Sequence, residues 1–242
     1  MAVMDITGNR LYWQQDTEKI LIEPWGKDGL RVRVTRNGSF DGKDWALENP
    51  HTVPQAKVEI YETAPPNFAQ DAARLGQGEY QVNEKPEKKP NAMRIVNGGI
   101  TAVIDRHGYI RFLNGKGEGL VREYVRNRSD LSEFCVPLSR KARLLTPVLG
   151  SEDWRAEVSF EAYEGERFYG LGQYQEDFLN LKGCTLELAQ RNSQASIPFM
   201  LSSRGYGFLW NNPAVGNVTL GENVTEWTAE RTRQIDYWIT AA

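Results

Sequence analysis

Apolar and polar residues alternate with a period of two through most of this chain, the repeat that sends successive side chains to opposite faces of a β-strand. Leu30-Arg31-Val32-Arg33-Val34-Thr35 is apolar at every second position and basic or polar between, which predicts one buried and one wet face. Lys57-Val58-Glu59-Ile60-Tyr61 repeats the pattern. Met93-Arg94-Ile95-Val96 and Ile100-Thr101-Ala102-Val103-Ile104-Asp105 flank Asn97-Gly98-Gly99, whose residues supply the positive φ angles that a short hairpin loop needs. Arg106-His107-Gly108 then turns the chain into Tyr109-Ile110-Arg111-Phe112-Leu113, and Asn114-Gly115-Lys116-Gly117 ends that strand. A meander of antiparallel strands is expected here.

Helical signals are sparse. Pro65-Pro66 followed by Asn67 to Leu75 predicts one short helix before Gly76, and Asn83 to Asn91 reads as a solvated loop whose acidic and proline residues argue against a basic recognition patch. The alternation resumes at Trp154-Arg155-Ala156-Glu157-Val158-Ser159-Phe160, with a turn at Glu164-Gly165-Glu166. Ser196 to Leu201 and Gly205 to Trp210 read as neighbouring strands joined by Ser202-Ser203-Arg204, and Asn211-Asn212-Pro213 stops the second. Thr225 to Thr228 and Gln234 to Ile239 follow as late strands. Many short strands with glycine and asparagine turns make the fold class all-β, a two-sheet sandwich. The chain stops in strand-like sequence, Ile235-Asp236-Tyr237-Trp238-Ile239-Thr240-Ala241-Ala242, where a domain edge is usually polar; a larger parent protein is expected.

Composition narrows the function classes. A net charge of −3 over 242 residues gives no broad basic face for nucleic acid or anionic lipid, and no run of apolar residues is long enough to span a membrane as a helix. The start, Met1-Ala2-Val3-Met4-Asp5, lacks the basic and apolar regions of a secretion signal, so the cytoplasm is the expected compartment and the sequons at Asn37, Asn217 and Asn223 read as chance matches. Cys135 and Cys184 are far apart with no second cysteine close by, which favours buried free thiols over a metal or redox pair. His51 and His107 lie in separate turn-like contexts, and no metal site or cofactor is expected.

Most chemical constellations are weak. Gly170-Leu171-Gly172 could open a phosphate-cradling loop, but position 175 is Gln rather than the third glycine, so a tight turn is the expected reading. Glu222 with Glu226, or Glu176 with Asp177, could form a hydrolase's carboxylate pair, but solvated surface acids are the expected reading. Neither histidine sits beside a nucleophile motif. The aromatics of the second half, among them Trp154, Phe168, Tyr206, Phe208, Trp210, Trp227, Tyr237 and Trp238, are either a sugar-stacking platform or the filling of a sandwich core, and strand spacing favours the core.

Several of these pieces together resemble the amino-terminal domain of glycoside hydrolase family 31, which holds α-glucosidases, α-xylosidases and related retaining enzymes. They are Ile22-Glu23-Pro24-Trp25-Gly26 with Leu30-Arg31-Val32-Arg33, then Arg167-Phe168-Tyr169-Gly170-Leu171-Gly172-Gln173, Ile197-Pro198-Phe199, Ser202-Ser203-Arg204-Gly205-Tyr206-Gly207 and Ile235-Asp236-Tyr237-Trp238-Ile239. The Gly-Leu-Gly-Gln form and the Gln190-Arg191-Asn192 context are most similar to the α-xylosidase-like members. The resemblance implies a galactose-mutarotase-like β-supersandwich of antiparallel strands over residues 1–232, with residues 233–242 as the last strand and the start of a connection to a (β/α)₈ barrel. In such enzymes the nucleophile and acid/base lie on the barrel, so this chain alone is expected to hold no catalytic residue and no glycosidase activity. Its expected partners are that carboxy-terminal barrel and a carbohydrate at the domain interface, with neither nucleic acid nor membrane. A loop before the Ile-Pro-Phe strand reaches the outer sugar in relatives, which often carry Asn-Arg-Asp there. Gln190-Arg191-Asn192-Ser193-Gln194 stands in that place, making Arg191 and Asn192 the candidate substrate-binding residues, with an amide where the acid would be. Two other classes compete: a stand-alone carbohydrate-binding module, and an aldose epimerase whose histidine context is missing here.

Overall fold

The computed structural model describes residues 2–36, 38–48, 56–61, 92–125 and 141–241. Three antiparallel sheets build it. The largest has eight strands in the order β1 (Val3–Thr7), β2 (Arg10–Gln15), β3 (Glu18–Pro24), β4 (Gly29–Arg36), β18 (Ile235–Ala241), β15 (Tyr206–Trp210), β14 (Ala195–Ser202) and β12 (Phe168–Gln173). A second, five-stranded sheet runs β5 (Lys57–Tyr61), β6 (Ala92–Asn97), β7 (Ile100–Asp105), β8 (Ile110–Asn114) and β9 (Gly119–Arg122). The third, also five-stranded, runs β10 (Arg143–Pro147), β11 (Trp154–Glu161), β17 (Val224–Thr232), β16 (Gly216–Leu220) and β13 (Thr185–Leu188).

Both five-stranded sheets pack on the same side of the large one, through β6 and β7 against β2, β3 and β4, and through β11 against β18. They join each other where β11 outruns β10: Glu123 bridges Phe160, and the Tyr124 N–H donates to the Ser159 carbonyl at 2.8 Å. The sandwich expected from the sequence is therefore present, with its second layer divided in two. The meander from Ala92 to Asn114 is β6, β7 and β8, and its first turn places Gly98 at φ 58°. The expected helix at Pro65 to Leu75, the Asn83 to Asn91 loop, Cys135 and His51 lie outside the described residues.

One contiguous core lies between the layers. The inward phase of β4 and β18 is apolar throughout, with Val32 opposite Tyr237 and Leu30 opposite Ile239. Phe208 stacks on Trp227 and Tyr237, both at 5.0 Å between ring centroids, and meets Phe160 edge-on at 5.4 Å. Such ring pairs each add about 0.5–1.5 kcal/mol beyond the area they bury. Most of the second-half aromatics thus fill the core.

Two local expectations are corrected. Arg31 and Arg33 are 1 % and 9 % exposed, so the face expected to be wet is covered. The segment 38–48 crosses it. Arg31 grips Asp236 with Nε and Nη2 at 3.0 and 2.7 Å, Asp44 at 2.6 Å and the Lys43 carbonyl at 3.1 Å, while Arg33 donates to Glu23 and to the Asp41 carbonyl. Alternation reports which side chains share a face; it does not distinguish a solvated guanidinium from one saturated by partners distant in sequence. Gly170-Leu171-Gly172, expected as a turn, is instead a bulge inside β12, with all three residues at positive φ (101°, 66° and 98°). A Cβ on Gly172 would lie 2.0 Å from the Ala195 carbonyl oxygen, so close approach to β14 excludes any side chain there.

Candidate functional site

The Gln190 to Gln194 loop joins β13 of one layer to β14 of the other. Its backbone is built locally. The Gln194 N–H donates to the Arg191 carbonyl at 3.1 Å, and Ser193 takes a left-handed φ of 67°. The Gln190 side-chain amide imitates a neighbouring strand: its Nε2 donates to the Ser196 carbonyl at 2.7 Å and its Oε1 accepts the Ser196 N–H at 3.2 Å. Tyr174 adds a third anchor, its hydroxyl bonded to the Glu187 carbonyl and to Ser196 Oγ, both at 2.9 Å. The loop tip is thereby held at the end of the sheet.

Arg191 and Asn192 both stand exposed on that tip. The Arg191 guanidinium makes a two-point bond to Glu187, Nε to Oε2 at 2.9 Å and Nη2 to Oε1 at 2.7 Å. The bond lowers the Glu187 pKa from its ordinary value and raises that of Arg191. Asn192 has no hydrogen-bond partner among the described residues, so its amide has both donor and acceptor available. The structure brings the two candidate residues side by side and shows three supports that the sequence reading passed over: Glu187, Gln190 and Tyr174. None left a local signal: a four-residue spacing pairs acid and base on a helix, whereas Glu187 and Arg191 meet here because the chain turns after β13.

The other candidates do not assemble a reactive centre. Glu176, Asp177 and Glu222 are exposed, and Glu226 accepts a hydrogen bond from Ser159 Oγ at 3.2 Å. His107 packs against Tyr109 at 6.2 Å between ring centroids. Cys184 is a free, half-buried thiol whose pKa is raised by burial and by nearby Glu176. Among the described residues no group of three or more His, Cys, Asp or Glu is placed to hold a metal ion.

A different surface stands out on the far side of the large sheet, away from the core. Ile197 and Leu201 of β14 are 54 % and 49 % exposed, and they continue through half-buried Tyr169, Phe199, Leu209 and Trp238 across β12, β15 and β18. The register keeps them in one phase, with Tyr169 opposite Leu201, Phe199 opposite Leu209, and Leu209 opposite Trp238.

These features define an antiparallel β-domain of the galactose-mutarotase-like class. Residues 20–218 match the family described as the glycosyl hydrolase 31 N-terminal galactose mutarotase-like domain, and the chain belongs to that family. It is 38 % identical over 242 residues to an uncharacterized family 31 glucosidase of Pseudescherichia vulneris, and 30 % identical over 240 residues to alpha-xylosidase A of Aspergillus niger. Those alignments take in 96 % and 98 % of this chain but only 40 % and 29 % of the relatives. A crystal structure of a GH31 alpha-xylosidase from a soil metagenome, complexed with xylose, superposes with a TM-score of 0.82 at 43 % identity, over 99 % of this chain and 32 % of that one. In these multidomain relatives the domain accompanies a catalytic domain.

Proposed function

We propose that this chain is the non-catalytic amino-terminal domain of a retaining α-glycosidase, an α-xylosidase or α-glucosidase, that braces a (β/α)₈ barrel and lends its Gln190 to Ser196 loop to the outer substrate subsite. The observation that carries the bracing role is the apolar strip from Tyr169 to Trp238. It lies on the outer face of the large sheet, and the relatives carry more than half their length beyond the matching part. Residues 233–242 then serve two purposes: β18 completes the middle of the large sheet, and its end leads toward the barrel.

The loop's rigidity supports the second role. Gln190 and Tyr174 fix its base, so Asn192 is offered without a large ordering cost when a sugar hydroxyl meets it. Arg191 reaches substrate only by exchanging Glu187 for it, which favours Asn192 as the direct contact and Arg191 as its positioning neighbour. Double displacement needs two placed carboxyl groups flanking a sugar, and the candidate pairs among the described residues do not form one.

The test compares this chain with a version extended through the following domain, using aryl α-xyloside and aryl α-glucoside. The isolated chain is expected to leave both intact and the extended protein to cleave one. In the extended protein, Asn192→Ala should raise KM for a disaccharide substrate more than for the aryl glycoside. Hydrolysis by the isolated chain, or equal effects on both substrates, would defeat the assignment.

A further inference from the structure

The segment that covers Arg31 also presents a side chain the core does not need. Trp45 is 59 % exposed and sits at φ 33°, a left-handed conformation that costs a bulky residue about 1–3 kcal/mol and persists only where its surroundings impose it. The surroundings do so from both sides. Arg31, fully buried, holds Asp44 and the Lys43 carbonyl before it, and Asn211 Oδ1 accepts the Ala46 N–H at 3.1 Å after it. The Leu47 N–H closes the turn on the Asp44 carbonyl at 2.6 Å. Asp41 is pinned as well, its N–H donating to Gln234 Oε1 at 2.9 Å. A rigid scaffold therefore holds an indole out into solvent.

Trp45 lines an open cleft of about 280 Å³ together with Lys43, Asp153, Arg231 and Arg233. Asp153 accepts from Arg231 Nε at 2.8 Å and forms an ion pair with Arg233, Nε to Oδ1 at 3.0 Å. The Lys43 ammonium sits over the Trp45 ring at 5.3 Å from its centroid, while the terminal nitrogens of Arg231 and Asp41 Oδ2 have no hydrogen-bond partner among the described residues. Cations and carboxylates balance in number, which selects against a strongly charged ligand. What fits is a neutral molecule with an apolar C–H face for the indole and hydroxyls that both donate and accept along its edge. From this we infer that the Trp45 cleft is a saccharide-binding site, separate from the Gln190 to Gln194 loop.

The two lie at the same end of the large sheet, because β15 runs out into the cleft residues Asn211 and Asn212 where its neighbour β14 begins. One to three strand spacings separate them, roughly 5–15 Å. An oligosaccharide of a few units spans that gap, yet the cleft's chemistry does not depend on the role proposed for Asn192.

Isothermal titration of the 242-residue chain with isomaltotriose and with cellotriose tests the inference. Saturable binding of at least one is expected. Trp45→Ala should weaken it by about tenfold or more, and Trp45→Phe should keep most of it because a ring remains. Arg231→Ala, at an exposed position, provides a second loss that does not touch the strained turn. Absence of saturable heat with either sugar overturns the site. So does binding that survives Trp45→Ala with its affinity intact. Binding lost in Asn192→Ala but kept in Trp45→Ala would move the sugar to the loop, refuting this inference while supporting the loop's proposed role.

Discussion

Glu123 and Arg143 form the joint at which all three sheets meet, and substituting either measures how much the division of the second layer depends on it. They are 4 % and 8 % exposed. The Arg143 guanidinium, from β10, donates to both Glu123 oxygens just past β9, to Glu18 of β3 at 2.9 Å and to the Gly108 carbonyl at 2.9 Å. Glu123 also accepts the Ile110 N–H at 2.9 Å. Taking one member from a buried pair costs about 3–5 kcal/mol, because the other charge stays behind. In Glu123→Leu, Arg143 keeps Glu18, whose side chain is 34 % exposed, so the lower end of the range, about 3 kcal/mol, is expected. In Arg143→Met, Glu123 keeps only the Ile110 N–H, which puts the cost near 5 kcal/mol. Glu123→Leu with Arg143→Met leaves no unpaired buried charge. It should cost less than either single substitution, with about 1–3 kcal/mol remaining for the orphaned Ile110 N–H.

Urea unfolding followed by tryptophan fluorescence gives the four free energies, and pH gives an independent check. Burial pushes the Glu123 carboxyl above its ordinary pKa, while Arg143 opposes that rise. Removing Arg143 removes the opposition, so the native state of Arg143→Met binds a proton more tightly than the unfolded chain does. Its stability is then greatest at acid pH and declines as pH climbs from about 4.3, the unfolded glutamate value, through the native pKa. The deficit against the parent should shrink between about pH 7 and about pH 5. Additive single costs, or a deficit that ignores pH, would refute the reasoning.

Two further outcomes are expected. Gly172→Ala should destabilise the protein by about 2 kcal/mol or more and strip hydrogen-exchange protection from β12 and β14 while leaving β3 and β4 protected, since the new Cβ collides with the Ala195 carbonyl; unchanged protection at β14 would contradict this. Burial holds the Tyr206 and Tyr237 hydroxyls well above the ordinary tyrosine pKa, so their contribution to stability is intact below about pH 10 and is lost as pH rises beyond it. Ultraviolet difference spectra should show these phenolates forming only together with loss of the β signal in circular dichroism.

Strand positions were legible because period two is a local property, and so β6, β7, β8, β11, β14, β15 and β18 fall where the alternation puts them. Sheet membership was not. β18 inserts between β4 and β15, and its bond from Asp236 to Arg31 crosses 205 positions of sequence, which no local pattern encodes. The same distance explains the misjudged face of β4. At the loop, Arg191 and Asn192 were readable as polar residues before a strand. The Gln190 amide that fixes them was not, because its partner is the backbone of Ser196 and backbone groups carry no sequence signature.

Phase within the alternation separates aromatics that build from aromatics that bind. Tyr206, Phe208 and Trp210 share one phase of β15 and are all buried. Tyr237 and Ile239 share the buried phase of β18, whereas Trp238 falls on the other face beside Leu209 and Phe199. A strand apolar in both phases has two faces to cover; segment 38–48 covers part of the outer one, while Trp238, Leu209 and Phe199 stay partly exposed there. That surplus is the strip proposed to meet the barrel. Trp45 belongs to no alternation at all: Lys43 and Asp44 precede it, and it sits in a turn rather than a strand. A large apolar side chain outside any periodic run gains little from the core, so an exposed indole in a strained, clamped turn points to a ligand rather than to folding.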